Sequence, residues 1–497
     1  SDPNPCGQGI NEEKADQFFS PKSFKSRKQD HFPGSYAISS KELKFSTNNN
    51  FKIDVNFFNT LKNNSIQTLF NVDCLSIYIS KSFKISCRFY DQIIQLPKII
   101  KIRNWYKIEL EFNSLEKTLA LKQTDIKNSS LEFKQKIKIN KIPKFVTGKV
   151  FISAEMAEKN VSNFFNGKIE NPSILIAEKK DVFKTLVRWD FSKSIPSSVI
   201  SDLSKNKINL NIINFPTRGV TGSKWDGSEM SWKHCPDHYT AIHFHEDDIY
   251  DFEWKTDFEF KVPKEMPSGI FVMRLVCEKY EDNIPFFVCP PKNKKTSDLC
   301  VIIPTFTYSV YGNHARPDYK ESWQEKIKLW EAYPYNPAEF KSYGLSTYNF
   351  HTDGSGICHA SYLRPLLNLK VGYLTFGMSN CSGLRHFQAD SHLISWLNNQ
   401  KIEFDILTDE EVHNEKNEVL KNYKTVMTTT HPEYHTKETL NSYQKYTDEG
   451  GNLIYLGGNG FYWKVCIHDD NDKIIEIRRA EDGIRAWASE PGEYYNA

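Results

Sequence analysis

The residues best equipped for chemistry lie in one short run, Thr425 to Tyr434, TVMTTTHPEY. Thr425–Thr429 is β-branched and apolar, which predicts a short buried strand. Pro432 cannot donate to a ladder, so the strand must end before it. His431 and Glu433 are thereby held on a stiff turn, an imidazole for proton transfer beside a carboxylate. A second predicted strand, Asn452–Leu456, ends in Gly457-Gly458-Asn459-Gly460. Those glycines let backbone approach a ligand and leave one amide side chain, Asn459, on show. In open parallel sheets the carboxyl ends of strands are where ligands bind.

Several chemistries compete for that edge. Glu433, Tyr348 and either Tyr308 or Tyr311 would together offer hard oxygen donors. Such donors match a small trivalent cation, Fe³⁺ above all. A phenol with a free pKa of about 10 needs a strong Lewis acid to lose its proton near neutral pH. Two phenolates and a carboxylate would balance three positive charges. A serine hydrolase is a poorer fit: Gly354-Ser355-Gly356 is only a fragment of a nucleophile elbow, outside any strand–turn–helix context. Cys381 lies near His386 in sequence, but a free cysteine usually serves packing. Gly457–Gly460 lacks dinucleotide-binding spacing and runs into Phe461-Tyr462-Trp463, not a helix start. His234, Cys235, His238, His243 and His245 invite a zinc reading. Because His243 and His245 alternate along a strand and His234 adjoins Cys235, neither pair is expected to bind zinc tetrahedrally.

The elements that must carry these residues follow from composition and periodicity. A chain of 497 residues can form two to four domains with cores of their own. Lys+Arg 64 against Asp+Glu 62 gives no bulk charge for nucleic acid or an anionic membrane. No apolar run approaches the roughly 20 residues of a spanning helix. The ten cysteines include no C-x-x-C pair, which points to reduced thiols in a cytoplasmic protein. Residues 1–35 are polar and broken by Pro and Gly, an N-terminal arm. Residues 36–180 alternate in short strands with turns every 8–12 positions, predicting an antiparallel β-sandwich. Residues 181–298 are expected to form a central β-rich domain, with Asp251–Val262 among its strands. From 299 to 497, strands at Val301–Pro304, Val371–Phe376, Glu403–Leu407, Thr425–Thr429 and Asn452–Leu456 alternate with helices, predicting a doubly wound α/β domain. The start, SDPNPCGQG, reads as a fragment boundary or processed end, and the finish after Glu490 as a chain that continues.

A resemblance sharpens this reading. RGVTGSKWDG at 218–227, DHYTAIHFHEDD at 237–248, STYNFHTDGSG at 346–356, the HPEY turn and LGGNGFYW at 456–463 together resemble the large (beta) subunit of the N,N-dimethylformamidase family. The resemblance implies a lectin-like (laminin-G or concanavalin) jelly roll followed by a domain similar to class I glutamine amidotransferases without their cysteine nucleophile. It implies a mononuclear iron, Fe³⁺, held by two tyrosines and a glutamate. By motif these are Tyr348, Glu433 and Tyr311, with Tyr308 the alternative to Tyr311. His431 would serve as the base and Asn459 would donate to the oxyanion, with Phe461 and Trp463 nearby suiting a small amide substrate. A small accessory subunit and a homo-oligomer of the resulting heterodimer are implied as well. The rival is a non-catalytic carbohydrate- or partner-binding protein, since a fold alone does not fix function.

Overall fold

The computed structural model describes residues 30–478 except 158–159, 180–181, 257–258, 279, 293, 377 and 379. Most of the expected arm therefore lies outside the described residues, and by Tyr36–Ser39 the chain is already a strand. Two large antiparallel sheets dominate. One runs Val199–Ile200, Leu210–Ile213, Tyr36–Ser39, Val150–Ile152, Gln67–Val72, Leu75–Ile79, Lys84–Phe89, Gln92–Ile99. The other runs Glu132–Lys138, Thr118–Asp125, Trp105–Asn113, Phe51–Asn59, Gly167–Lys179, Ala241–Phe244, Thr217–Val220, and Val182–Arg188 also pairs with Gly167–Lys179. Along Phe51–Asn59 every second side chain is buried, and Phe51, Ile53, Val55 and Phe57 have no exposed surface. That period-two burial directs one face of each sheet into a shared core with Phe70, Ile77, Phe89 and Phe112.

The separate central domain expected over 181–298 is not what these strands build. Leu210–Ile213 pairs with Tyr36–Ser39, and Ala241–Phe244 pairs with Gly167–Glu170, so residues 182–244 complete the two sheets. The described residues among 251–262 form no strand; Asp251 makes only an isolated bridge to Leu363. Gly269–Cys277 and Tyr280–Val288 form a hairpin, and Ile270 and Phe287 pack against the C-terminal part of the chain.

That C-terminal part is organised by four parallel strands in the order Asp405–Thr408, Leu299–Ile303, Thr425–Thr428, Asn452–Ile454. Alternate residues of Leu299–Ile303 face opposite ways. Cys300 and Ile302 pack with Val412, Leu420 and Tyr443 from helices Asp409–Glu415, Asn417–Leu420 and Lys437–Asp448. Val301 and Ile303 pack with Phe387, Ile394 and Leu397 of helix Phe387–Asn399. Burial on both faces explains why Leu299–Ile303 reads as an unbroken apolar run. Val371–Phe376 is not a strand: Gly372 takes φ +85° inside a turn that follows the 3₁₀ segment Leu367–Leu369. No helix among the described residues is long and apolar enough to cross a membrane.

Candidate functional site

Three segments meet at the carboxyl edge of the parallel sheet, two of them leaving its strands Leu299–Ile303 and Thr425–Thr428 directly. The first turns at Pro304 into helix Thr305–Val310, whose Phe306 amide donates to Asp409 Oδ2 at 3.0 Å. Tyr311 is the residue that closes this helix. The terminal Val310 carbonyl accepts from Ser346 Oγ at 2.8 Å and Thr347 Oγ1 at 3.3 Å. A helix end needs such partners for its last carbonyls. Here the strap that supplies them also delivers Tyr348.

The third contributor is the HPEY turn. Thr430 is clamped by Asp390, which accepts from its amide at 2.8 Å and its hydroxyl at 2.6 Å. The Glu433 amide donates to Thr307 Oγ1 at 3.2 Å, tying the turn to the tyrosine helix. The Glu433 carbonyl accepts from the amides of Tyr462 and Trp463 at 3.1 and 3.0 Å. Gly457 lies so close to this turn that a Cβ there would stand 2.5 Å from Pro432 Cδ. A side chain at 457 would therefore push the turn away.

The result is a buried knot of oxygens. Tyr311 Oη donates to Tyr348 Oη at 2.7 Å and lies 2.8 Å from Glu433 Oε2. Tyr348 Oη is 3.4 Å from Glu433 Oε1 and is also hydrogen-bonded to Tyr434 Oη. The Tyr311 and Tyr348 rings stack with centroids 4.3 Å apart. His431 Nε2 stands 3.0 Å from Glu433 Oε2, and its imidazole retains some exposure. Glu433 is fully buried. Burial, and then the neighbouring Tyr348 and Glu433, hold the Tyr311 phenol well above its ordinary pKa, while Arg385 pulls the other way.

Tyr308 is placed elsewhere. Its hydroxyl donates to Asp390 Oδ2, so it braces the clamp on Thr430 and does not enter the knot. Asn459, half-buried on the adjoining loop, makes no hydrogen bond to the knot among the described residues, although the Gly458 amide joins that loop to Thr430 O at 3.0 Å. Phe461 stacks on His435 at 4.7 Å, whereas Trp463 packs near Tyr434 and Tyr348. Cys381 Sγ donates to the Met378 carbonyl at 3.1 Å, making a local turn contact with no part in the knot.

Three neighbours were not foreseen. His386 lies 4.3 Å from the Tyr311 ring and 5.1 Å from the His431 ring, and its Nε2 has no hydrogen-bond partner. Burial first, then Arg385, His431 and His314, push its pKa well down, so the imidazole is neutral. The Arg385 guanidinium sits 4.6 Å over the Tyr311 ring. Tyr434 is the third phenol. Its place beside Glu433 in HPEY was the only available signal, because Arg385 and His386 lie on a turn without sequence periodicity.

The chain matches the family model described as N,N-dimethylformamidase beta subunit-like, C-terminal, over residues 217–497. It belongs to that family. The N,N-dimethylformamidase beta subunit of Alcaligenes sp is 35% identical over 353 residues, covering 67% of this chain and 46% of that protein. The one from Paracoccus aminophilus is 31% identical over 431 residues, covering 79% and 56%. The chain thus spans about half the length of the curated relatives it matches. Among solved structures, domains LG4-5 of the mouse laminin alpha1 chain align over 32% of this chain and 44% of that one, at 11% identity and a TM-score of 0.21. At that score the likeness carries no weight, and the sandwich rests on its own strand pairing. The family match includes every residue of the knot.

Proposed function

We propose that this chain belongs to an iron-dependent amide hydrolase and that Tyr311, Tyr348 and Glu433 hold one Fe³⁺. The reaction is hydrolysis of a small, N-substituted formamide or other amide to an amine and a carboxylate, a class to which the relatives' names point. The observation carrying the proposal is the convergence of two phenol oxygens and one carboxylate from three separate segments, the phenols 2.7 Å apart, Tyr311 Oη 2.8 Å from Glu433 Oε2 and Tyr348 Oη 3.4 Å from Glu433 Oε1. Octahedral ligands at about 2.0–2.1 Å from an ion stand about 2.8–3.0 Å apart, so the donor spacing fits a shared small cation. The donor chemistry agrees, since a phenol as buried as that of Tyr311 gives up its proton only to a strong Lewis acid.

When bound, such an ion supplies Lewis acidity toward a carbonyl and toward water. The rest falls to the chain's own groups. His431, whose Nε2–H is given to Glu433 Oε2, takes the proton of the attacking water at Nδ1 and returns it to the leaving amine. Glu433 Oε2 orients that imidazole from 3.0 Å. His386, kept neutral, adds no competing positive charge beside it. Asn459 donates to the oxygen of the amide as negative charge develops there. The parallel sheet is read as the amidotransferase-like domain lacking a cysteine nucleophile, and the sandwich as a lectin-like jelly roll. The relatives are named as beta subunits, which supports a partner subunit beside this chain; that it is small and that the pair forms an oligomer are part of the same proposal.

The test combines iron analysis, visible absorption and amine release from a panel of amides. Wild type is expected to bind Fe³⁺ and take on a tyrosinate-to-iron colour. Glu433→Ala should lose both, whereas His431→Ala should keep the colour and lose about 10²–10⁴-fold in turnover. A folded wild type that stays colourless in Fe³⁺ overturns the proposal.

A further inference from the structure

A second cluster of ligating side chains lies away from the oxygen knot, where the sandwich meets the C-terminal part. His243 belongs to strand Ala241–Phe244 and His245 follows it, and their rings approach to 4.2 Å. Opposite them is the loop His351–Ser355, closed by a bridge between Phe350 and Gly356. Asp353 Oδ2 is 3.1 Å from His243 Nε2 and 3.8 Å from His245 Nε2. All three side chains are buried. Sequence spacing argued against zinc here, and that argument fails on two counts. Residues i and i+2 of a strand share a face, and the third donor comes from more than 100 residues away.

Tetrahedral ligands at about 2.0–2.1 Å from a zinc ion lie about 3.3 Å apart, between the two distances observed. The surroundings are those of a ligand set. His245 Nδ1 bonds Asp248 Oδ2 at 3.1 Å, and Ser35 Oγ anchors that same oxygen at 2.6 Å. A carboxylate on the far nitrogen is the usual way to fix a ligating imidazole's tautomer, leaving Nε2 with its lone pair. Thr60 Oγ1 holds Asp353 from the sandwich side at 2.5 Å. His351, 5% exposed, stands beside the cluster: its Nδ1 bonds Asp247 at 2.8 Å, while its Nε2 makes no hydrogen bond and lies 3.6 Å from Asp248 Oδ1. A second grouping, His245, Asp248 and His351, is less apt. Those two rings stack within 5° of parallel at 3.8 Å, so their in-plane lone pairs do not converge. Ser355, His245 and Asp248 are ordered like a serine hydrolase triad, with Oγ 2.9 Å from Nε2. However, Asp353 takes both the Ser355 hydroxyl and its amide, which removes the nucleophile and one oxyanion donor together.

We infer that His243, His245 and Asp353 bind one zinc-class divalent cation, with His351 and Ser355 flanking its open position. The ion pins the sandwich to the loop that follows Tyr348, so it steadies the strap delivering that tyrosine. The inference is independent of the proposed iron chemistry.

The test uses the full chain, with zinc measured by mass spectrometry, zinc-edge X-ray absorption and thermal unfolding before and after chelation. Wild type should bind about one zinc with imidazole in its coordination shell, lose thermal stability on chelation and regain it with Zn²⁺. His243→Gln and Asp353→Asn, each checked for folding by circular dichroism, should lose that zinc. Asp248→Asn should bind it about 10–100-fold more weakly. Glu433→Ala should retain it, which separates a failure here from a failure of the iron site. Chelated, folded wild type that takes up no micromolar zinc overturns the inference, as does full zinc retention by folded His243→Gln.

Discussion

Tyr434→Phe removes one oxygen and little else. The ring is fully buried among Phe306, Val310, Val465 and Ile475, surroundings that accept phenylalanine as readily as tyrosine. The oxygen removed is the partner of Tyr348 Oη, which still has Tyr311 Oη at 2.7 Å and Glu433 Oε1 at 3.4 Å. Because Tyr348 is not orphaned, the stability cost is that of one hydrogen bond, about 0.5–1.5 kcal/mol. The effect on iron should be larger. If Tyr348 binds as phenolate it can only accept, so Tyr434 must be the donor that stabilises its lone pair. Loss of such an outer partner weakens metal binding about 10–100-fold, or about 1.4–2.7 kcal/mol. It also moves the charge-transfer band to longer wavelength, since the phenolate becomes easier to oxidise. Competition against a chelator of known affinity measures the first, and an absorption spectrum the second. Iron affinity within twofold of wild type with an unmoved band would refute the idea that Tyr434 supports a ligating Tyr348.

Other outcomes follow from the same coordinates. Tyr308→Phe should keep iron and colour, yet lose about 1–3 kcal/mol in urea unfolding, because Asp390 loses a buried donor. Trp189→Ala should cost about 3–5 kcal/mol: the indole is fully buried in the sandwich core and Nε1 donates to the Ile208 carbonyl at 2.8 Å. His359 is held neutral chiefly by burial, so its folded pKa lies well below the unfolded value of about 6.5. Below pH 6.5 the unfolded chain therefore binds the extra proton, and His359 removes up to about 1.4 kcal/mol of stability per pH unit as pH falls. Urea titrations between pH 7 and 5 should show that slope reduced by one proton in His359→Gln.

What the sequence disclosed was chiefly local. Alternation in FKIDVNFF names the buried face of its strand, and the Pro432 stop places His431 and Glu433 at a strand end. Capping is legible too, as Thr436 accepts from the Thr439 amide where the helix Lys437–Asp448 begins. The domain boundary at 180 was hidden because strand partners such as Tyr36 and Ile213 lie far apart in the chain, and periodicity has no memory of such pairings. Tyr308 and Tyr311 are three residues apart on one short helix, so only its rotation against Asp390 and Glu433 separates brace from site residue. Val371–Phe376 misled because an apolar run can pack without a ladder: half-buried Val371 packs against the Phe387 cluster and buried Phe376 against Trp323 from irregular backbone. His386 and Arg385 reach Tyr311 from a turn in which His386 has φ +52°, a conformation with no sequence signature for that residue type.

Resonance Raman spectroscopy of the iron-loaded chain, excited in its visible band, tests the central claim most directly. Two inequivalent tyrosinate ring modes should appear, with Tyr311→Phe and Tyr348→Phe each removing one and Tyr308→Phe removing neither. A spectrum without tyrosinate modes, or one unaltered by Tyr311→Phe and Tyr348→Phe, would contradict it.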